Sequence, residues 1–274
     1  MTVVDVRDPG DPRVADFRGL TDARARAVLE AERGIFVAEG TFAVDRVLAS
    51  GLEVRSVLAV PAKVDRYEGS GVPVLSADRR MFAEIVGFRS SRGVVASAVR
   101  PPPALVRDLL GGSPLLVLEG ITDRENLGSL FRVAAALGAA GVVLDPRTGD
   151  PWTRRCVRVS VGAVCAIPFA RAGRWPSELA ELREAGFDLI ALTPAEDAVP
   201  IDRHVPGPRT ALMVGTEADG LTSEALAASD RRIRIPMASG IDSLNVSHAA
   251  AIALHHLRTA THTPDQRSDD PPLR

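Results

Sequence analysis

The chain of 274 residues contains two cysteines, one tyrosine and a single lysine, Lys63, and only 4% of its residues are aromatic. Two cysteines, Cys156 and Cys165, are too few for a disulfide framework or a structural zinc site. No apolar run reaches the roughly 18 residues that a membrane helix requires, and the first ten residues do not resemble a secretory signal. These absences exclude the disulfide-rich and membrane-spanning classes, and we expect a cytoplasmic protein.

The composition that remains is that of an average globular protein. Hydrophobic residues make up 46% of the chain and charged residues 25%, with 35 acidic and 33 basic side chains and a net charge of −2. This balance gives no sign of a strongly basic nucleic-acid-binding protein. Arginines are nevertheless concentrated in residues 79–100 and 147–158, where they could follow RNA phosphates. Solvated helix faces are the alternative interpretation of both clusters.

Three consecutive prolines, Pro101–Pro103, divide the chain, because proline is tolerated neither in a helix interior nor in a central strand. We therefore predict an N-terminal domain over residues 1–100 and a second domain over residues 101–259. Residues 260–274 are polar and contain prolines, so they are predicted to form a disordered tail. Residues 1–12, rich in aspartate and proline, are also expected to be loose.

The second domain alternates short apolar strands with helical patterns. This alternation predicts an α/β fold whose parallel sheet is covered on both faces, beside a smaller N-terminal α/β domain. Leu127, Leu130, Phe131 and Ala134 recur at the spacing of a buried helix face. The predicted strands are Leu115–Leu118, Gly141–Asp145, Cys165–Phe169, Phe187–Leu192, Thr210–Val214 and Arg232–Ile235, and the later predicted helices are Pro176–Ala185, Ser223–Ala228 and Ser243–Leu257.

Three segments that follow strands are candidate binding sites, because ligands of an open parallel sheet bind beyond the carboxyl ends of its strands. In Asn126–Arg132, the asparagine could cap a helix, and the arginine lies within an otherwise apolar helix. Gly215–Gly220 is a turn between two glycines that lacks the P-loop and dinucleotide fingerprints. Ile235–Ser247 ends a strand and opens a helix with more polar residues than one cap explains. Read singly, each segment is also compatible with an ordinary cap or turn.

Together the three segments resemble the motifs of the SpoU-like, or TrmH-like, RNA 2′-O-methyltransferases of the SPOUT superfamily. That family's pattern is Asn-x-Gly-x-x-x-Arg, then Gly-x-Glu-x-x-Gly, then Ile-Pro-Met followed by Ser-Leu-Asn-Val-Ser, and the resemblance covers roughly residues 115–257. More weakly, Phe36–Gly40 and Gly93–Ala96 resemble the ends of a fused substrate-binding domain similar to ribosomal protein L30e. The resemblance implies a C-terminal α/β domain with a parallel sheet and a deep trefoil knot, an N-terminal RNA substrate-binding domain, and a homodimer.

The resemblance also implies an activity. S-adenosylmethionine is the implied cofactor, its methyl group is transferred to a ribose 2′-hydroxyl of RNA, and ribosomal RNA of the large subunit is favoured. A transfer RNA 2′-O-methyltransferase and a non-catalytic RNA-binding member of the fold are the alternatives. A nucleotide-cofactor oxidoreductase would suit the alternating strands and helices but lacks its fingerprint. His248, His255 and His256 do not have metal-motif spacing, so no metal is expected.

The family's motifs imply roles for individual residues. Arg132 is expected to be essential, either as the base for the 2′ proton or as the clamp of a phosphate that accepts it, since a guanidinium stays protonated far above neutral pH. Glu217 is expected to pair with Arg132. The implied catalytic residues are Arg132, Asn126, Glu217, Ser243 and Asn245. The implied cofactor contacts are Leu192, Thr193, Gly215, Thr216, Gly220, Ile235, Met237 and Leu244, and the expected RNA contacts are Arg79, Arg80, Arg89, Arg92 and Arg124.

The first motif departs from the family in one respect. Members commonly have a proline directly after the aspartate that opens it, whereas this chain has Arg124 after Asp123. The missing proline is expected to loosen the loop, and Arg124 adds a positive charge near the substrate.

Overall fold

The computed structural model describes residues 3–241 and 243–261. Within these ranges, every helix is too short or too polar to span a bilayer. The strands are β1 (Val3–Asp5), β2 (Ile35–Glu39), β3 (Val54–Ala59), β4 (Val74–Ser76), β5 (Val94–Val99), β6 (Leu115–Leu118), β7 (Gly141–Leu144), β8 (Phe169–Arg171), β9 (Asp188–Leu192), β10 (Val199–Pro200), β11 (Thr210–Val214) and β12 (Arg231–Arg234). The α-helices are α1 (Ala23–Arg33), α2 (Thr41–Ala49), α3 (Pro61–Val64), α4 (Arg79–Val86), α5 (Arg124–Ala136), α6 (Arg154–Val159), α7 (Leu179–Glu184), α8 (Ser223–Ala228) and α9 (Val246–Thr261).

The chain forms two compact units. The first unit runs through Pro102 and also includes a later segment, Asp150–Ala166, while the second comprises Pro103–Gly149 and the residues from Ile167 onward. The first break lies close to the predicted boundary at residue 100. Most of the tail predicted to be disordered, from residue 262 onward, lies outside the described residues.

The segment Asp150–Ala166 differs from the predicted division, which includes it in the second domain. It packs within the first unit because helix α6 lies against strand β2 and Trp152 contacts Phe36, with 4.6 Å between the ring centroids. Cys156 and Val157 of this segment are fully buried. Gly149 and Pro151 at its start are turn residues like those of other loops, so they do not indicate that the chain passes from one unit to the other there.

The first unit contains a five-stranded mixed sheet in the order β1-β4-β3-β5-β2. Strands β1, β4 and β3 are parallel, and β5 runs antiparallel to both β3 and β2. On one face, Phe17 and Phe82 pack against Val37 and Leu58 in an apolar core. The expectation that residues 1–12 are loose is wrong for β1, because Val3–Asp5 hydrogen-bonds along β4.

The second unit is built on seven strands in the order β10-β12-β9-β11-β6-β7-β8, and every neighbouring pair is parallel. Strands β6, β7 and β11 are buried along their whole length, as expected when helices cover both faces. The predicted buried face of α5 is confirmed, and α5 packs against α9. The predicted α/β class with a parallel sheet is therefore confirmed.

One of the strands predicted for the second domain is wrong. In place of a strand over Cys165–Phe169, the residues Ala163–Cys165 form a 3-10 turn after Gly162, whose φ is 77°, and β8 begins at Phe169. Val164 and Ile167 are buried in the turn, as they would be expected to be in a strand, so an apolar run cannot distinguish a strand from a packed turn.

Candidate functional site

A cavity of about 490 Å³ lies at the carboxyl ends of strands β9, β11 and β12. Three chain segments surround it: residues 192–195 after β9, residues 214–221 after β11, and residues from 235 to 249 after β12. Its volume is in the range of small-molecule sites. All eight residues implied as cofactor contacts line it, namely Leu192, Thr193, Gly215, Thr216, Gly220, Ile235, Met237 and Leu244.

The turn Gly215–Gly220 is closed by two backbone hydrogen bonds. Thr216 N donates to Gly220 O and Gly220 N donates to Thr216 O, each at 3.0 Å. A Cβ atom at position 215 would lie 2.1 Å from the carbonyl carbon of Gly220, so no side chain fits there. Gly220 itself has a φ of 68°, which favours glycine. Both glycines are therefore required to close this turn beside the cavity.

Glu119, at the end of β6, holds the far side of this turn. Its side chain is only 1% exposed and accepts hydrogen bonds from Trp175 Nε1 at 2.6 Å, from Thr222 N at 2.8 Å and from Thr222 Oγ1 at 2.7 Å. Thr222 also caps helix α8 through Ala225 N. Glu119 therefore fixes the chain where it leaves the turn. Glu119 is not part of the three motifs and was not predicted, although an acidic residue that ends an apolar strand is a recognisable signal.

Asp145, at the end of β7, performs the same task for the neighbouring loops. Its Oδ1 atom accepts hydrogen bonds from Gly120 N at 2.9 Å and from Thr148 N and Thr148 Oγ1, both at 2.7 Å. Burial opposes ionisation of this carboxyl, but the hydrogen bonds from Thr148 and Gly120 outweigh it and lower its pKa. Arg147 bridges the two carboxylates, at 3.5 Å from Glu119 and 3.2 Å from Asp145. Ionic contacts of Arg147 therefore link the loop after β6 to the loop after β7.

A second polar group joins three distant parts of the sequence through one amide. The chain has two asparagines, and Asn245 Nδ2 donates to Asn126 Oδ1 at 2.9 Å and to Glu217 Oε1 at 2.7 Å. Asn245 Oδ1 accepts from Ser247 N at 3.0 Å and from Ser247 Oγ at 2.6 Å. We call Asn126, Glu217 and Asn245 the amide cluster. It connects the first turn of α5, the turn after β11 and the start of α9.

The cap of helix α5 differs from the expected one. Asp123, not Asn126, is its N-cap, because Asp123 Oδ1 accepts from Glu125 N at 2.9 Å and from Asn126 N at 2.8 Å. This leaves the Asn126 side chain available to the amide cluster. Arg124 is the first residue of the helix and is exposed. The aspartate cap therefore orders the loop in which the family's proline is missing.

Arg132 lies apart from the amide cluster. The expected pairing of Glu217 with Arg132 is not present, since the carboxylate accepts from Asn245 instead. Arg132 follows Asn126 by six residues, which places the two about a third of a turn apart around the helix. Its side chain is exposed, with no hydrogen bond or ion pair to any residue that the structure describes. Ser243 is exposed as well and lines the cavity.

The arginines expected to contact RNA are on the surface. Arg79 and Arg80 begin helix α4 directly after its cap, Asp78, whose Oδ1 accepts from Met81 N at 2.8 Å. Arg79, Arg80 and Arg89 are exposed, and no described carboxylate pairs with them. Arg92 is half exposed, with Nη1 lying 3.9 Å from Glu39. Four of the five expected contacts, all except Arg124, belong to the first unit.

Comparisons with known proteins agree with this geometry. The family model described as "SpoU rRNA Methylase family" matches residues 113–255, a range that contains the amide cluster and every residue of the cavity. The chain is 41% identical to a Mycobacterium tuberculosis protein named as an uncharacterized tRNA/rRNA methyltransferase, over 96% of this chain and 94% of the relative. It is 32% identical to the 23S rRNA (guanosine-2′-O-)-methyltransferase RlmB of Ralstonia nicotianae, over 68% of this chain and 77% of the relative. The crystal structure of an AdoMet-bound rRNA methyltransferase from Sinorhizobium meliloti superposes with a TM-score of 0.81 at 28% identity, over 95% of this chain and 99% of the other.

Proposed function

The chain belongs to the SpoU rRNA methylase family, and we propose that it methylates a ribose 2′-hydroxyl of RNA with S-adenosylmethionine as methyl donor. The observation that carries this proposal is the amide cluster. Asn126, Glu217 and Asn245 come from three separate motifs, yet one amide group joins them, and Glu217 also lines the cavity. A structural role alone would not require these three motifs to meet at a residue that lines a small-molecule cavity.

The cavity fits S-adenosylmethionine in size and in chemistry. Leu192, Ile235 and Met237 supply aliphatic walls that suit the flat apolar faces of an adenine. The carboxylates of Glu217 and Asp219 also line the cavity, and negative charge favours a sulfonium cation while it repels a phosphate. S-adenosylmethionine, when bound, supplies an activated methyl group on a positively charged sulfur.

The residues of the chain position the ribose and the cofactor and assist the loss of the 2′ proton. Methyl transfer requires the ribose oxygen in line with the methyl carbon, so a fixed geometry provides much of the rate. We propose that the amide cluster and Ser243 hold the ribose and the methionine end of the cofactor. Arg132, exposed and without a described partner, is available to hold an RNA phosphate beside the 2′-hydroxyl or to take its proton.

Large-subunit ribosomal RNA is the proposed substrate. The name of the Ralstonia relative specifies a guanosine 2′-hydroxyl of 23S rRNA, and the Mycobacterium relative, which spans nearly the whole chain, is named for both tRNA and rRNA. We propose that the first unit contacts this RNA through Arg79, Arg80, Arg89 and Arg92, that Arg124 contacts it from the second unit, and that the enzyme acts in the cytoplasm.

Mapping 2′-O-methyl groups tests the proposal. Purified enzyme and tritiated S-adenosylmethionine are incubated with separate 23S rRNA and tRNA fractions. We expect label in 23S rRNA, in a nucleotide whose 3′ phosphodiester bond resists alkaline hydrolysis. Label confined to tRNA would support the transfer RNA alternative. A lack of label in both fractions, with the cofactor bound, would instead favour a non-catalytic RNA-binding protein.

Loss of the Glu119 carboxylate is expected to weaken cofactor binding. In Glu119→Ala, Thr222 and Trp175 lose their acceptor, so the turn Gly215–Gly220 is no longer held at its end. We expect a tenfold or larger rise in the Kd for S-adenosylmethionine, about 1.4 kcal/mol, measured by isothermal titration calorimetry. Glu224→Ala, which removes an exposed carboxylate on α8, is the matched control. Equal affinities of Glu119→Ala and wild type would contradict the positioning role of Glu119.

We further propose a homodimer that covers an apolar surface of the second unit. Ile252 on α9 is 43% exposed and Val205 is 84% exposed. His256, one turn after Ile252, lies with Nε2 at 2.9 Å from the carbonyl oxygen of His204, the neighbour of Val205. Three apolar side chains of this unit, Val199, Val205 and Ile252, are thus exposed to solvent in the single chain.

Ile252→Glu is expected to shift the protein from dimer to monomer, because dimerisation would bury an unpaired charge. Sedimentation velocity of wild type and variant measures this shift. Val28→Glu, at an exposed apolar residue of the first unit, serves as the control and should remain dimeric. A wild type that sediments as a monomer at micromolar concentration would refute the homodimer.

A further inference from the structure

Phe42 is unusual among the aromatic side chains of this chain. It is 76% exposed, whereas every other aromatic residue is buried or half-buried. It lies in the first turn of helix α2, after Gly40, whose φ of 95° sets the entry of the helix. A large aromatic ring in water forgoes the burial energy that its neighbours gain. Such a residue indicates an interaction surface when its surroundings supply a matching partner chemistry.

The surroundings of Phe42 contain more cations than carboxylates, since Asp45 on the same helix is paired with Arg66 at 2.6 Å. Glu39, three residues earlier, is buried, and three guanidinium groups surround its carboxylate. Arg154 Nη1 contacts Oε2, Arg158 Nη1 lies 3.7 Å from Oε2, and Arg92 Nη1 lies 3.9 Å from Oε1. One carboxylate cannot neutralise three cations. Arg92 belongs to one arginine cluster of the sequence, and Arg154 and Arg158 belong to the other, so the fold of the first unit brings both clusters together.

These cations lie near the start of α2, the helix that carries the ring of Phe42. A Cβ atom at Gly40 would lie 2.8 Å from Arg92 Cδ, so the Arg92 side chain covers the backbone that precedes Phe42. Arg46 lies one turn after Phe42 on the same helix face, and its Nη1 donates to Val161 O at 3.1 Å. Lys63 Nζ donates to Thr41 Oγ1 at 2.5 Å. The stacking surface is defined as Phe42, Arg46, Lys63, Arg92 and Arg158.

We propose that the stacking surface binds an unpaired nucleotide of the RNA substrate. Its base stacks on the ring of Phe42, and the neighbouring phosphates lie against Arg92 and Arg46. An exposed aromatic ring bordered by cations is the arrangement with which proteins hold single-stranded RNA, whereas paired bases offer no free face to the ring. This proposal rests on the proposed function, because it takes RNA as the substrate. It adds that the first unit recognises a single-stranded element.

Phe42→Ala is expected to weaken binding of a short fluorescein-labelled oligoadenylate by about tenfold, because stacking on one base is lost. Fluorescence anisotropy at fixed ionic strength measures the affinity. Phe42→Trp should bind at least as well as wild type, since it keeps a stacking face. Val28→Ala, at another exposed apolar residue of the first unit, is the matched control. Thermal melting should show that all three variants remain folded, because both side chains are exposed.

Arg92→Ala is expected to weaken binding several-fold and to reduce the salt dependence of log Kd by about one unit, as expected for one lost phosphate contact. Phe42→Ala should leave that slope unchanged. The difference in salt dependence between the two variants therefore separates the contribution of base stacking to RNA affinity from that of phosphate contacts.

Two results would overturn the proposal. One is an unchanged affinity of Phe42→Ala for oligoadenylate, and the other is a loss of self-association in Phe42→Ala without loss of RNA binding, which would assign the surface to a protein contact. Methylation of 23S rRNA by the same preparations distinguishes a failure of the stacking surface from a failure of the proposed function. If wild type methylates 23S rRNA while Phe42→Ala binds oligoadenylate normally, only the stacking surface is refuted. If wild type methylates no RNA, the proposed function fails independently of Phe42.

Discussion

Replacing Arg132 with alanine is expected to lower the rate of RNA methylation by about 10²- to 10⁴-fold, the contribution of a positioned proton-transfer group. The side chain is exposed and has no described partner in the protein, so its loss leaves no buried charge and should not unfold helix α5. Single-turnover methylation of 23S rRNA with tritiated S-adenosylmethionine measures the rate. A rate near wild type would contradict both proposed roles of Arg132.

Arg132→Lys distinguishes a base from a phosphate clamp. A lysine base would titrate near pH 10, so the rate of the variant should rise with pH towards that value. A clamp would lose its two-pronged contact but keep its charge, so the pH profile should match that of wild type at a lower rate. Arg174→Ala, which removes another exposed arginine of the second unit, is the control and should retain full activity.

Asn245→Asp is expected to reduce methylation by about 10²-fold or more, the effect of misplacing reacting groups by about 1 Å. The substitution preserves shape but replaces the donating Nδ2 atom with an oxygen. That oxygen would face Glu217 Oε1, which lies 2.7 Å from Nδ2, and Asn126 Oδ1, which lies 2.9 Å from it. Two carboxylates at this distance repel, so the turn Gly215–Gly220 and the start of α9 should separate. The rate constant of single-turnover methylation is the readout.

A second substitution provides a rescue experiment for the amide cluster. In Glu217→Gln/Asn245→Asp, the new amide can donate to the new carboxylate, which restores one hydrogen bond and removes one negative charge. We expect the double variant to recover about tenfold in rate over Asn245→Asp. Measuring Glu217→Gln as well completes a double-mutant cycle, which isolates the interaction energy. Ser247→Ala removes only one of the two donors to Asn245 Oδ1 and should stay within a few-fold of wild type. If Asn245→Asp alone methylates normally, the cluster does not organise the site.

The sequence predicts most of the second unit because its strands are buried on both faces. Strands β6 and β11 have the predicted bounds, Leu115–Leu118 and Thr210–Val214. Turn residues on both sides of a continuous aliphatic run determine where such a strand can begin and end. The residues around the cavity were also predictable, but from the resemblance rather than from periodicity. No spacing rule brings Leu192, Gly215 and Ile235 together until the order of the strands in the sheet is known.

The contacts within the site could not be predicted in the same way. That Glu217 accepts from Asn245 and not from Arg132 depends on the rotation of α5, which the Asp123 cap sets within its first turn. Glu119 acts through Thr222, 103 residues later in the chain. Packing between helices and strands determines which distant side chains form hydrogen bonds. The local sequence pattern indicates only which face of a helix or strand is apolar.

Because Asp150–Ala166 packs in the first unit, the two units are difficult to exchange separately by recombination. The chain passes from one unit to the other after Pro102, after Gly149 and after Ala166, so a single crossover cannot exchange one unit for its counterpart in a relative. A gene fragment that begins at Pro103 would encode Trp152, Cys156 and Val157 without the strand β2 that covers them. Recombination that replaces the first unit must therefore exchange two stretches of the gene at once.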